Sequence, residues 1–91
     1  MKTIYKYRLE LVDEQTISLP QHSVVLSAIT QSDMIVVYVL ADTAITETQD
    51  TKFRIVGTGH NFDDHAEWKH LATVTTSHDR FVWHVFVEAE Q

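Results

Sequence analysis

Hydrophobic and polar residues alternate along much of this 91-residue chain, a pattern that predicts β-strands. In the first such segment, apolar residues at odd positions alternate with charged residues at even positions. A period of two buries one face of a strand and exposes the other, as in an antiparallel sheet. The side chains that we predict to face the core are Tyr5, Tyr7, Leu9 and Leu11.

Similar patterns predict six further strands. Pro20 should end the second strand because proline has no amide hydrogen for the ladder. The third and fourth strands read as a hairpin, and the nearly continuous apolar run in the fourth predicts a central strand buried on both faces. The seven predicted strands are Tyr5–Leu11, Thr16–Leu19, Val24–Thr30, Met34–Ala41, Lys52–Gly57, Leu71–Thr76 and Phe81–Glu88.

The connections between these strands differ in character. The polar segment Asp42–Thr51 lacks periodicity and is predicted to be a long loop. Asp63 or Asp64 could cap one helical turn that runs through Trp68. Ser77–Arg80 is predicted to be the turn of the last hairpin.

These elements predict an all-β fold. About seven short strands separated by tight turns favour a small antiparallel sandwich or a partly open barrel, with at most one short helical turn. Ninety-one residues suffice for one compact core, so residues 1–91 are predicted to form a single domain.

The composition indicates in which compartment the protein acts and which classes of partner it should not bind. The absence of cysteine favours a reducing cytosol, and the N-terminus lacks the apolar region of a signal peptide. The longest apolar run, Met34–Ala41, is far shorter than the ~20 residues of a membrane helix. With 13 acidic and 7 basic residues and no basic stripe, the chain should bind neither membranes nor nucleic acid directly.

Both glycines fall in one tetrapeptide, Gly57-Thr58-Gly59-His60, directly after a predicted strand. Glycine allows positive φ and close approach of the backbone. The segment could form a nest of amides that binds an anion, or a β-bulge or corner that lets a strand change sheets. We favour the bulge or corner because the carboxylates of Asp63 and Asp64 lie just downstream and would repel an anion.

Histidine is abundant, with six in the chain, and four of them fall between residues 60 and 78. His60, His65 and His70 are each five residues apart, which places them on neither one helix face nor one strand face. A metal-dependent enzyme that uses His60, His65 and His84 is therefore a minor alternative, and we expect neither a metal site nor a cofactor.

His84 lies in Phe81-Val82-Trp83-His84-Val85-Phe86, between Val82 and Phe86 on one strand face. It could be a core histidine bonded to a loop, or a catalytic base with His60 as partner. The chain has no cysteine, no Gly-x-Ser-x-Gly elbow, no P-loop and no dinucleotide fingerprint. We therefore expect that the protein is not an enzyme.

These blocks resemble those of a family of small uncharacterised proteins from tailed bacteriophages. In that family the blocks occur in the same order across nearly the whole chain, although its members commonly carry prolines where this sequence has residues 42–44 and 61–64. The resemblance implies a phage source but no activity. The blocks that carry it are Ile4-Tyr5-Lys6-Tyr7, Asp13-Glu14-Gln15-Thr16-Ile17, Gly57-Thr58-Gly59-His60 and Phe81-Val82-Trp83-His84-Val85-Phe86.

The leading functional hypothesis is a small phage-encoded binding protein that acts in the host cytoplasm on a host enzyme or a defence component. The alternatives are a homo-oligomer, joined through edge strands, that sequesters a small signalling molecule, and a virion or assembly component. Loops on a rigid β scaffold are the expected binding sites. The candidate residues are Thr46, Glu47, Gln49 and Asp50 in one patch, and Gly57, Gly59, His60, Asp63, Asp64 and His65 in another.

Overall fold

The computed structural model describes residues 1–62 and 67–89, and these residues form seven strands. None of the described residues belongs to a helix, so none lies in a helix that could span a membrane. The strands are β1 (Lys2–Leu9), β2 (Glu14–Pro20), β3 (Val24–Gln31), β4 (Met34–Asp42), β5 (Thr48–Gly57), β6 (Trp68–Thr76) and β7 (Phe81–Glu88).

The strands form two antiparallel sheets that do not close into a barrel. One sheet has three strands in the order β1-β4-β3, and the other has four in the order β2-β5-β7-β6. The chain changes sheet after β1, after β2 and after β4, so both sheets are built from interleaved parts of the sequence. The predicted all-β sandwich of seven strands is confirmed.

The core lies between the inner faces of the two sheets. Phe53 of β5 is the largest fully buried side chain, and it faces aliphatic residues from both sheets. Burying these side chains is the main stabilising contribution to the fold. The buried core residues are Leu9, Leu19, Ala28, Ile35, Val37, Val39, Phe53, Ile55, Val74, Val85 and Val87.

The apolar run in β4 is explained by its position between β1 and β3. Its inward residues Val37 and Val39 are fully buried, and Val36 on the opposite face is only 4% exposed. The predicted β3–β4 hairpin and its central second strand are confirmed. Pro20 ends β2, as predicted.

Two side chains that the alternation placed in the core are on the surface. Tyr5 is 40% exposed and Leu11 is 55% exposed. Strand β1 ends at Leu9, so Leu11 lies in the bend that follows and has no strand partner. Tyr5 pairs with Val39, but it lies on an edge strand that the opposite sheet covers only in part. Alternation predicts the face of a side chain, but not how far the opposing sheet extends.

The predicted loop Asp42–Thr51 extends further than the connection that the structure shows between β4 and β5. Strand β5 begins at Thr48, and Gln49 and Asp50 pair with Leu19 and Ser18 of β2. This polar segment lacks a periodic pattern, so pairing with β2 determines its conformation rather than local sequence preference.

The predicted helical turn does not reach Trp68, which begins β6 and pairs with Glu88. Asp63 and Asp64, its predicted capping residues, lie outside the described residues.

Hydrogen bonds join the tips of the β3–β4 and β6–β7 hairpins. Ser32 and Asp33 both have positive φ, which gives the first hairpin the backbone twist of a primed two-residue turn. The Ser77 N–H donates to Oδ1 of Asp33 over 2.6 Å, and the Thr30 hydroxyl donates to the Thr75 carbonyl over 2.6 Å. The sandwich is therefore closed at this end by bonds between its two sheets.

Candidate functional site

Residues 58–62, which follow β5, lie against the outer face of the four-stranded sheet, where Thr58 contacts His84 and Phe62 contacts Phe86. Strands β5 and β6 are both antiparallel to β7, which lies between them. We call residues 58–62 the crossover segment. It begins with a turn in which the His60 N–H donates to the Gly57 carbonyl over 3.0 Å and Gly59 has a φ of +87°. A residue with this φ at the third position is characteristic of a type II turn.

The two glycines belong to a tight turn. Strand β5 ends at Gly57, and β5 and β6 belong to the same sheet, so the segment is neither a β-bulge nor a corner between sheets. The amides of Thr58 and His60 donate to the carbonyls of Val82 and Gly57, so neither of them is available to an anion. A Cβ on Gly57 would lie 2.7 Å from Cε1 of the exposed His60 ring, so this ring packs on the bare glycine.

Beneath the crossover segment, four side chains form a continuous hydrogen-bonded chain. Thr58 Oγ1 lies 2.9 Å from Nε2 of His84, and Nδ1 of His84 lies 3.1 Å from Oγ1 of Thr73. The same Thr73 oxygen lies 3.0 Å from Nε2 of His70. Because Thr73 pairs with His84 across β6 and β7, the sheet register places these groups together. We call Thr58, His84, Thr73 and His70 the Thr–His chain.

The chemistry of a hydroxyl group couples the two imidazoles. The Thr73 hydroxyl carries one proton, so it can donate to only one of the two rings. In the first arrangement, the Thr73 hydroxyl donates to His70 and accepts a hydrogen bond from Nδ1–H of His84. A neutral His84 then has no proton on Nε2, and this nitrogen can accept a hydrogen bond from the Thr58 hydroxyl. When Thr73 donates to His84, the orientation of every bond along the chain is reversed. The Thr–His chain therefore has two neutral arrangements, and only one of them can accept the Thr58 proton.

Aromatic contacts flank this chain. The rings of Phe62 and Phe86 meet edge to face with centroids 4.6 Å apart, and His70 packs against Phe86 at 5.3 Å. The guanidinium carbon of Arg54 lies 4.8 Å from the centre of the Phe62 ring. Edge-to-face pairs and cation–π contacts each contribute about 1 kcal/mol, so Phe62 fastens the crossover segment to the sheet.

The two predicted loop patches lie at opposite ends of β5. Gly57, Gly59 and His60 belong to the turn at its end, whereas Gln49 and Asp50 belong to its start, roughly 26 Å of strand away. Thr46 and Glu47 are exposed in the preceding connection. Asp63, Asp64 and His65 lie outside the described residues.

His84 contacts Thr58 rather than the predicted His60. Alternation correctly placed His84 on one face with Val82 and Phe86, but the sequence shows no register. Thr73 and His70 were therefore missed, because only the pairing of β6 with β7 brings them to His84. Within the described residues, no group of three or more potential ligands is arranged to hold a metal ion.

A cavity of about 740 Å³ opens at the other end of the sandwich, where β2 ends and β5 begins. Gln49 and Asp50 line it together with Ser23, which is only 4% exposed. The Ser23 hydroxyl is buried and has no hydrogen-bond partner among the described residues. This end of the sandwich is therefore less completely packed than the end closed by the hairpin tips.

The outer face of the three-stranded sheet presents apolar side chains to solvent. Ile4, Leu40 and Val24 form one row across β1, β4 and β3, and Arg8, Val36 and Ile29 form another. Four of the twelve exposed large apolar side chains among the described residues lie here. They are Ile4, Val24, Ile29 and Met34, and we call this surface the open face.

Basic residues border the open face along β1. Lys2, Lys6 and Arg8 project on the same side as Ile4. The Lys6 ammonium donates to the Gln31 side-chain oxygen over 2.9 Å and so reaches across β4 to β3. A shallow depression of about 380 Å³ lies beneath it, with Val36 at its floor. The open face is thus apolar with a positive border, although the chain carries a net charge of −6.

Comparison with known proteins identifies a family but no characterised relative. No curated protein and no solved structure shows significant similarity to this chain. A family model described as "Domain of unknown function (DUF7352)" matches residues 1–91, and the chain therefore belongs to this family.

Proposed function

We propose that this chain is a phage-encoded, non-enzymatic binding protein that docks a host protein on its open face in the host cytoplasm. The observation that carries the proposal is the cluster of four exposed apolar side chains on one side of one sheet. Large contiguous apolar patches on a protein surface mark interaction sites more often than isolated apolar residues do. The phage source and the host compartment rest on the sequence resemblance and on the composition.

The charge pattern favours a partner with an acidic border over a second copy of this chain. Lys2, Lys6 and Arg8 are three of the seven basic residues of the chain, and all three border the open face. Asp42 at the same rim and Glu10, whose carboxylate lies 3.9 Å from Arg8, offset part of this charge but leave an excess of positive charge. Two copies that met through this face would bring both excesses into one interface. Like charges oppose association, whereas an acidic border on the partner would add attraction and speed the encounter. A host enzyme or defence component with an acidic, apolar surface fits this pattern.

Affinity capture from a bacterial host lysate tests the proposal, provided that it uses matched variants. Ile29→Glu should abolish capture of the specific partner because it places a charge in the apolar cluster. Leu11→Glu makes the same change at an exposed apolar residue outside the open face and should leave capture intact. Once the captured protein has been identified and purified, its affinity for the wild-type chain should fall as the salt concentration increases. Its affinity for the Lys6→Glu variant should be lower than its affinity for wild type.

Three results would contradict the proposal. One is that Ile29→Glu and Leu11→Glu reduce capture of the partner to the same extent. Another is a dimer of this chain that Ile29→Glu dissociates, since the open face would then serve self-association. The third is a partner protein that binds the Ile29→Glu variant but does not bind the Leu11→Glu variant.

A further inference from the structure

The Thr–His chain contains the parts of an activated nucleophile, which the sequence motifs did not indicate. The signature of such a site is a hydroxyl within hydrogen-bond reach of a base, with the base oriented by a third group. Here Thr58 Oγ1 lies 2.9 Å from His84 Nε2, and Thr73 bonds the other ring nitrogen. Thr58 is exposed, so the hydroxyl is accessible from solvent.

We propose that Thr58 is an acyl-acceptor site, at which activated esters transfer an acyl group to the threonine oxygen with His84 as general base. This function is separate from docking on the open face, which lies on the other sheet. Each protein molecule reacts only once, because the acylated Thr58 hydroxyl can no longer act as a nucleophile. This single reaction is compatible with a protein that is not an enzyme.

The transfer step balances within the residues shown. A lone pair of Thr58 Oγ1 attacks the carbonyl carbon of the ester, and its proton passes to Nε2 of His84. The tetrahedral intermediate then collapses, the bond to the leaving group breaks, and the departing oxygen takes the proton from Nε2. The products are acyl-Thr58 and the free alcohol, and His84 returns to its starting state.

The turn supplies a donor for the oxygen that becomes negative in this step. The amide of the residue after the nucleophile is a common oxyanion donor in acyl transfer. Here that residue is Gly59, whose amide donates no hydrogen bond within the described residues. A Cβ added to Gly59 would meet none of the described residues within 4 Å, which leaves room beside this turn for a small acyl group.

Thr73 and His70 are positioning residues. In the reactive one of the two neutral arrangements, Thr73 donates to His70, His84 carries its proton on Nδ1 and donates it to Thr73, and Nε2 is left free for Thr58. A threonine hydroxyl stabilises an imidazolium less than the carboxylate of a catalytic triad does, because it bears no negative charge. The site should therefore react with activated esters rather than with amides.

The test is acetylation by p-nitrophenyl acetate, followed by mass spectrometry of the intact protein and of its peptides. Wild type should gain an acetyl group on Thr58, and Thr58→Val should not gain it. His84→Gln should slow acetylation of Thr58 about 10²-fold, the lower end of what a general base contributes. His22→Gln and Thr46→Val, which alter an exposed histidine and an exposed threonine elsewhere, should react as wild type does.

Thr73 is tested through the pH profile of the same reaction. Thr73→Val should change the pH dependence of Thr58 acetylation, and Thr73→Ser should restore it because serine keeps the hydroxyl. Far-UV circular dichroism and the urea midpoint confirm that each variant is folded. The proposal is wrong if Thr58 is acetylated no faster than Thr46, or if folded His84→Gln reacts at the wild-type rate.

Discussion

On the four-stranded sheet, the outer-face residues His84 and Phe86 lie beneath residues 58–62 of the same chain. On the three-stranded sheet, Val24 and Ile29 occupy the corresponding outer face, and no described segment crosses them. The order of the strands explains the difference. A crossover is required where β5 and β6 are separated by β7, whereas the β3–β4 hairpin needs only a tight turn. Topology therefore explains why residues 58–62 cover one outer face while the other is left exposed.

The two faces should differ most in how much the free energy of unfolding falls when one apolar side chain is removed from each face. Phe86→Ala should lower the free energy of unfolding by about 3 kcal/mol, because its ring packs against both Phe62 and His70. Ile29→Ala should cost only about 1 kcal/mol, since 42% of the Ile29 surface is already exposed in the folded protein. Urea unfolding of both variants measures this contrast. Equal losses would show that the two faces are covered to the same extent.

The next effect concerns the two glycines of the turn. Gly59→Ala meets none of the described residues within 4 Å but must adopt a φ of +87°, and it should cost about 1 kcal/mol. Gly57→Ala places a Cβ 2.7 Å from the ring of His60, but this side chain is exposed and its ring can rotate away. Because alanine also lowers the entropy of the unfolded chain, we expect a change within about 0.5 kcal/mol. Thermal unfolding would contradict this account if Gly57→Ala were the more damaging change.

The smallest effect lies at the rim of the open face, at Asp42. The Ala44 amide, which donates to Oδ1 of Asp42, lowers the pKa of this carboxyl, and the Met1 ammonium lowers it further. Because the pKa is lowered in the folded state, the stabilisation is present above the ordinary carboxyl pKa of about 4 and is lost as the pH falls through the folded pKa. Asp42→Asn should therefore lose less stability on acidification than wild type, as measured by urea unfolding between neutral and acidic pH. An unchanged acid dependence would contradict the assignment.

Periodicity predicted the strands well where one face is buried. The β3–β4 hairpin and the central position of β4 could be predicted because Met34–Ala41 is apolar on both faces. The start of β5 could not, because Gln49 and Asp50 are polar and become strand only through pairing with β2. The exposure of Tyr5 likewise depends on how far the opposite sheet extends.

The candidate site was less predictable than the fold. The sequence indicated the Gly57–His60 tetrapeptide and His84 as unusual features, and the structure brings Thr58 of that tetrapeptide to His84. His70 was noted only as one of the clustered histidines, and nothing indicated that it and Thr73 would join His84, since their contact depends on the register of β6 against β7 and on the irregularity between His70 and Ala72. The open face was also missed, because whether an apolar strand face is covered is a property of topology.

The most direct test of the division between the two faces is the affinity of the captured host protein for a pair of variants, measured by isothermal titration calorimetry. Ile29→Glu alters the open face, and Phe62→Ala loosens the covered face without changing charge. We predict that Ile29→Glu weakens binding at least about 10-fold, which corresponds to the 1.4 kcal/mol or more of an interface hot spot, and that Phe62→Ala leaves the affinity unchanged. Loss of affinity in Phe62→Ala with wild-type affinity in Ile29→Glu would contradict the account and place the partner on the four-stranded sheet.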